Sequence, residues 1–280
     1  MSSASSVTPG PLNPGNVVSA AFRLYRDRFK TYLKLSVIAF LWVFVPIYGW
    51  AKYSMYTGLM ARMAFQDLTN HPETPTEARQ QLAPKLWSFF GLAVLLMLIF
   101  FGAYIGSIIV AVIAAMGIGF GGGAILSPLV GEDLGVGIAV VIAALVAIAV
   151  LLLGLLWVVG RLFVAEVPLA VEKGADASAS IGRSWKLTKR SIIRIQFVVL
   201  AAYLVTVPIL MVASFIPQIG LAMVEFGSPT YWVIYAVTIV LGFLGNMFTL
   251  PFWQAVKGVL YYDLRSRREG LDLTIQDSPV

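Results

Sequence analysis

Hydrophobic positions in this chain fall into long continuous runs, and the short segments between them hold most of its charge. Several runs exceed the ~18–20 apolar residues that cross a bilayer. The pattern predicts an all-α fold, a polytopic transmembrane helical bundle of about six spans with basic amphipathic interfacial helices. A membrane β-barrel would alternate polar and apolar residues in short segments, and this chain does not. The expected spans are about Leu33–Val45, Trp50–Leu68, Trp87–Gly117, Gly137–Val164, Ser191–Phe215 and Tyr231–Tyr262. They form one transmembrane domain over 16–270, between a Ser-, Pro- and Gly-rich disordered tail at 1–15 and a second tail at 271–280.

Three elements break the apolar pattern with a helical repeat of cations. The most basic is Ala177–Arg194, with Asp176 or Ser178 as its cap. Read as one helix, it places Ile181, Trp185, Thr188 and Ile192 on one side. Arg183, Lys186, Arg190 and Arg194 fall on another. Trp on one face and cations on the other suit the headgroup layer. A second such helix starts at Val17 after an Asn16 cap. It sets Val18, Phe22, Tyr25, Phe29 and Tyr32 against Arg23, Arg26, Lys30 and Lys34. The third follows the last span, where Arg265, Arg267 and Arg268 come after Tyr261 and Tyr262.

Charge then orients the spans. The connections 118–136 and 216–230 contain no Lys or Arg, so they are expected outside. Both termini and the basic elements are expected in the cytoplasm. The tail and residues 71–85 share a side only if an even number of crossings separates them. Trp50–Leu68 is the one candidate for the return pass, with interfacial placement as the alternative. Its small residues suit a bundle interior, and Arg62 within it requires a partner or a path to the headgroups. Gly102 and Gly106 form a small-xxx-small pair, commonly a packing site. Gly117–Gly135 is expected as a flexible loop; it lacks the Gly-Lys-Ser/Thr ending of a phosphate-binding loop. Pro208 is expected to kink span five, and Pro251 to divide span six.

Composition narrows the chemistry. Charged residues make up 12% of the chain, about half the share in soluble domains. The formal net charge is +6, but the cations cluster at span ends, which argues against nucleic acid as the partner. The absence of cysteine excludes disulfides and thiol chemistry. The one histidine, His71, lies in a polar loop with no second ligand near it in sequence. No Asp, Glu, His or Cys lies in mid-span, so no catalytic or metal set is expected, and no cofactor.

One set of residues resembles a known superfamily. It runs Arg161…Glu166-Val-Pro168…Glu172…Ser180…Arg183-Ser-Trp-Lys-Leu-Thr188…Arg194, then two spans and a Tyr-Tyr-Asp-Leu-Arg265 ending. This is similar to the membrane domain fused to bacterial glycerophosphoryl diester phosphodiesterases and to YciC-type inner-membrane proteins. Arg190 stands where the family has a glycine after its Thr-Lys pair. The resemblance implies a six-span module in a bacterial membrane. It does not carry phosphodiesterase activity, which belongs to a separate metal-dependent barrel domain.

The function expected is therefore a non-enzymatic scaffold, assembly or accessory subunit. Its cytoplasmic collar of Arg23, Arg26, Lys30, Arg183, Trp185, Lys186, Arg190, Arg194, Arg265, Arg267 and Arg268 would contact anionic lipid or a membrane protein partner. The simplest rival is that these cations are only topology anchors. A transporter or channel is the alternative function, with Asn246, Thr249 and Gln254 as a possible polar path.

Overall fold

A computed structural model describes residues 13–270; both expected tails lie largely outside them. The described residues are helical throughout, without strands. Four helical stretches are long and apolar enough to cross a membrane: Pro75–Val130, Glu132–Val171, Ile192–Ala222 and Pro229–Glu269. The contacts group the chain into two compact units, Ala93–Leu162 and everything before and after it.

The larger unit begins with α1 (Pro14–Asp27), three residues earlier than the sequence predicts. Asn13 takes the cap position, and Pro14 supplies a preset helical φ at the first turn. Helix α2 (Phe29–Val43) and helix α3 (Tyr48–Leu68) form a hairpin. Its turn is tight. Ile47 adopts φ +60°, and a Cβ on Gly49 would collide with the Trp42 carbonyl oxygen. Trp50 Nε1 closes the turn by donating to the Val43 carbonyl at 3.1 Å.

Helix α4 (Pro75–Leu82) starts with a complete capping box between Thr74 and Glu77. The chain then passes through a short 3-10 turn into α5 (Leu86–Val130). After the second unit it returns as α7 (Glu166–Val171), α8 (Ala177–Thr188), α9 (Ile192–Leu210), a π-helical turn at Met211–Phe215, α10 (Ile216–Ala222) and α11 (Pro229–Glu269).

The core of this unit is the contact of α3 with the C-terminal half of α11. Met55 to Ala61 of α3 are buried without interruption, as are Pro251 to Phe252 and Gln254 to Val256 of α11. A Cβ on Gly258 would sit 2.5 Å from the Ala61 carbonyl oxygen and 3.0 Å from Ala64 Cβ. Glycine there lets two backbones meet, as small residues do in membrane bundles. Phe65 packs on Tyr261 and Tyr262. Phe40 and Phe44 pack on Phe243, and Tyr25 donates to the Phe248 carbonyl at 3.0 Å.

Three local expectations differ from the structure. The basic element is two helices: α8 stops at Thr188, and α9 starts at Ile192. Its buried face is Ser180, Ser184, Leu187 and Thr188, because small side chains allow close packing, while Trp185 is exposed. Asp176 caps α8, accepting from the Ala179 amide at 2.7 Å. Pro251 does not divide the last span; α11 runs through it. Pro208 stands just before the π-helical turn, consistent with the kink expected there.

The smaller unit pairs the outer part of α5 with α6 (Glu132–Leu162). The glycine-rich stretch is helix, not loop, and the chain turns only at Gly131, φ +94°. These glycines serve packing: a Cβ on Gly135 would meet Ser127 N at 2.5 Å, and one on Gly122 would meet Ala139 Cβ at 3.3 Å. The predicted packing pair behaves differently. Gly102 and Gly106 have nothing within 4 Å of where their Cβ would be.

Candidate functional site

The basic residues singled out by sequence separate into two groups, those held by carboxylates within the protein and those left at the surface. The first group is organised by the link between α7 and α8. Glu172 ends α7 with extended backbone, which frees its side chain. Its carboxylate accepts from Arg183 Nε at 2.8 Å and from the Tyr261 hydroxyl at 2.6 Å. Its carbonyl and that of Leu169 accept from Lys85 Nζ at 2.8 and 3.0 Å. Arg183 also reaches Glu269, which takes a further ion pair from Arg265 at 3.0 Å. Two carboxylates facing one guanidinium outweigh its partial burial and raise the Arg183 pKa.

A second cluster surrounds Asp263, whose side chain is 0% exposed. Arg194 at the start of α9 approaches it at 2.9 Å, and Arg267 one turn along α11 at 3.2 Å. Arg268 donates to the Lys186 carbonyl at 2.7 Å, tying α11 to α8. Lys257 pairs with Glu166 at 2.7 Å.

The third cluster answers the requirement for an Arg62 partner. Arg62 grips Glu73 with Nε at 2.8 Å and Nη2 at 2.6 Å, and donates to the Ala170 carbonyl at 2.6 Å. Gln66 adds a bond to the same carboxylate at 2.9 Å. Burial alone would raise the Glu73 pKa; the bonds from Arg62 and Gln66 overcome it and hold the group below its ordinary value.

Of the eleven expected contact residues, Arg183, Arg194, Arg265 and Arg267 are thus ion-paired inside the protein. Arg23, Lys30, Lys186 and Arg190 are exposed. Arg26 forms a 3.5 Å pair with Asp27, both well exposed, which is worth little. Arg268 and Trp185 are also at the surface. The polar side chains of α11 are largely satisfied locally: Asn246 donates to the Gly242 carbonyl and Thr249 to that of Gly245. Gln254 is buried with Oε1 unpartnered. Among the described residues no group of three or more His, Asp or Glu could hold a metal ion. His71 is exposed, its Nδ1 2.7 Å from the Thr69 carbonyl oxygen.

The carboxylates were the part that sequence reasoning left out. Glu166, Glu172 and the Tyr-Tyr-Asp-Leu-Arg ending stand in the motif, yet nothing local shows that they face the cations of α8 and α9. No family model, no curated protein and no solved structure matches this chain.

Proposed function

We propose that this chain is a non-enzymatic integral membrane protein, a scaffold, assembly or accessory subunit whose exposed cations contact anionic lipid or a protein partner. The observation that carries the reading is the division of labour among the basic residues. Internal carboxylates hold Arg183, Arg194, Arg265 and Arg267; Arg183 and Arg194 fasten α8 and α9 to α11, while Arg265 and Arg267 pair within α11 and share the same two carboxylates. Arg23, Lys30, Lys186 and Arg190 are exposed and belong to no carboxylate pair within the described residues. Each exposed cation near an anionic surface contributes about 1 kcal/mol of attraction. The transporter alternative draws on a polar path, and two of its three members bond their own helix.

The proposed topology has both termini in the cytoplasm of a bacterial cell. Four long helices cross the membrane, and the α2–α3 hairpin enters and leaves on the cytoplasmic side. The six-span layout differs only in whether that hairpin reaches the far face. The likeness to the phosphodiesterase membrane domain and YciC-type proteins supports the same class of module.

The test is mild purification from native membranes, comparing wild type with a triple Arg23→Gln, Lys186→Gln, Arg190→Gln variant. Wild type is expected to retain a stoichiometric protein partner or enriched anionic phospholipid, and the variant to lose it while inserting normally. A solitary protein with the same lipids in both samples would refute the reading and make solute flux in liposomes the next measurement.

A further inference from the structure

A cavity of about 470 Å³ lies in the larger unit, lined by Lys30, Thr31, Lys34, Leu35 and Ile38 of α2, Tyr56 of α3, and Pro75, Thr76 and Arg79 of α4. Its volume is in the range of ordinary small-ligand pockets, ~300–1,000 Å³. Three cations converge on it from two helices, and three hydroxyl-bearing side chains join them. No carboxylate lines it. Lys30, Lys34 and Arg79 have no ion-pair partner among the described residues, although Arg28, two residues before Lys30, has one in Asp67. The nearest acid in sequence to Arg79 is Glu77, and it is committed to the Thr74 capping box. The capping box also holds α4 in register, which fixes Thr76 and Arg79 at the rim.

The lining changes character along α2. Lys30, Thr31 and Lys34 occupy its first turns, and Leu35 and Ile38 follow toward the hairpin tip. The distance from Lys30 to Ile38 along the axis is about 12 Å at 1.5 Å per residue. Beyond Ile38 on the same side comes Leu41, 62% exposed. An anion would meet three cations and hydroxyl groups at one end, and an apolar path leads away at the other. A free phosphate ester needs only the first half of that arrangement; a phospholipid uses both.

We propose that this cavity binds the phosphate headgroup of an anionic phospholipid, with Lys30, Lys34 and Arg79 on the phosphate and an acyl chain along Leu35, Ile38 and Leu41. The inference rests on the reading of this chain as a protein that contacts anionic lipid. It differs in naming a defined site, to which Tyr56 of α3 and Thr76 and Arg79 of α4 contribute from outside the expected collar.

The purified full chain in zwitterionic nanodiscs is titrated with monomeric dihexanoyl phosphatidylglycerol, with dihexanoyl phosphatidylcholine and with glycerol 3-phosphate. Wild type should bind the first in preference to the other two. Lys34→Gln and Arg79→Gln should each weaken that binding about fivefold, and the double variant about twenty- to thirtyfold, from the attraction of each cation. Both residues are exposed, and unchanged thermal unfolding of the variants confirms the fold. A Lys173→Gln, Lys189→Gln variant, which removes two exposed charges outside both the cavity and the collar, serves as the comparison and should leave this 1:1 site intact. Equal losses in the two variant sets would overturn the site in favour of diffuse charge attraction. Unaltered affinity in the Lys34/Arg79 double variant would overturn it outright. Glycerol 3-phosphate binding as tight as the lipid would overturn the phospholipid assignment in favour of a soluble phosphate ester.

Discussion

Replacing Asp263 with Asn removes one charge from the most deeply buried ion cluster in the protein. The Asp263 side chain is 0% exposed, while Arg194 is 18% exposed and Arg267 35%. Removing one partner of a buried ion pair costs about 3–5 kcal/mol, since the other charge stays behind without compensation. Asn keeps the volume and can still accept one hydrogen bond, and Arg267 can turn to water. The lower end, ~3 kcal/mol, is therefore expected. For domains of about 150–250 residues each kcal/mol moves Tm by roughly 2–4 °C, so the expected fall is about 6–12 °C. Intrinsic fluorescence during heating in a fixed detergent reads it. The double replacement Arg194→Met with Asp263→Leu leaves no uncompensated buried charge, since Arg267 can reach water, and should recover most of the loss, a coupling that a double-mutant cycle isolates. A fall under about 2 °C for Asp263→Asn, or a double variant no better than the single, would refute the claim that this pair fastens α9 to α11.

Three further outcomes follow from the packing and the charges. Gly258→Val should cost at least the ~1–3 kcal/mol of an overpacked core, because its Cβ has only 2.5 Å to the Ala61 carbonyl oxygen; Gly102→Ala, with open space around it, should be neutral or stabilising in the same thermal assay. Glu73, whose carboxyl is held below its ordinary value, contributes stability that is present above that ordinary value and is lost as pH falls through the lower folded one. Acid titration of Tm should show this loss, and Glu73→Gln should flatten it. Cysteine introduced at Phe44 or Ile47, on the cysteine-free background, should resist membrane-impermeant maleimide from both sides of the membrane; fast labelling from the outside would place the hairpin tip at the far face instead.

The parts of this fold that could be read from sequence are those set by local repeats. Apolar runs marked all four long helices, Asp176 was one of two candidate caps for α8, and Arg62 announced the need for a partner. The parts that could not be read are set by pairings distant in the chain. Arg183 and Glu269 are brought together across two membrane-spanning helices, and no helical periodicity connects them. The exposed-looking cations of α8 and α11 were therefore assigned to the outside world, when half of them close the protein on itself. The glycine-rich segment misled for a different reason. Glycine disfavours a helix in water by about 1 kcal/mol. In an apolar setting the backbone must bond to itself, and the missing Cβ atoms let α5 and α6 approach.

The depth of the α2–α3 hairpin follows from its neighbour, not from its own hydropathy. Helix α3 runs alongside α11 in the same direction: Phe65 meets Tyr261, Thr57 and Lys257 share Glu166, and the hairpin tip lies near Phe243. Phe243 is about 21 Å along α11 from its start at Pro229. That stretch begins with Tyr231, Trp232 and Tyr235, the residues that anchor at an interface. With that end at one interface, a tip level with Phe243 would lie about 9 Å inside the opposite face of the ~30 Å hydrocarbon layer. Helix α2, 15 residues, is about 22 Å long and too short to cross alone. Lys52, one turn below the tip and over the Tyr48 ring, would then point back toward the cytoplasmic headgroups, as long cationic side chains do. In the proposed topology Lys34 and Lys30 would lie about 15 and 21 Å below Phe44, at headgroup level. A hairpin that enters only about 9 Å would meet the positive-inside count as well as a full return pass, since zero crossings is an even number too.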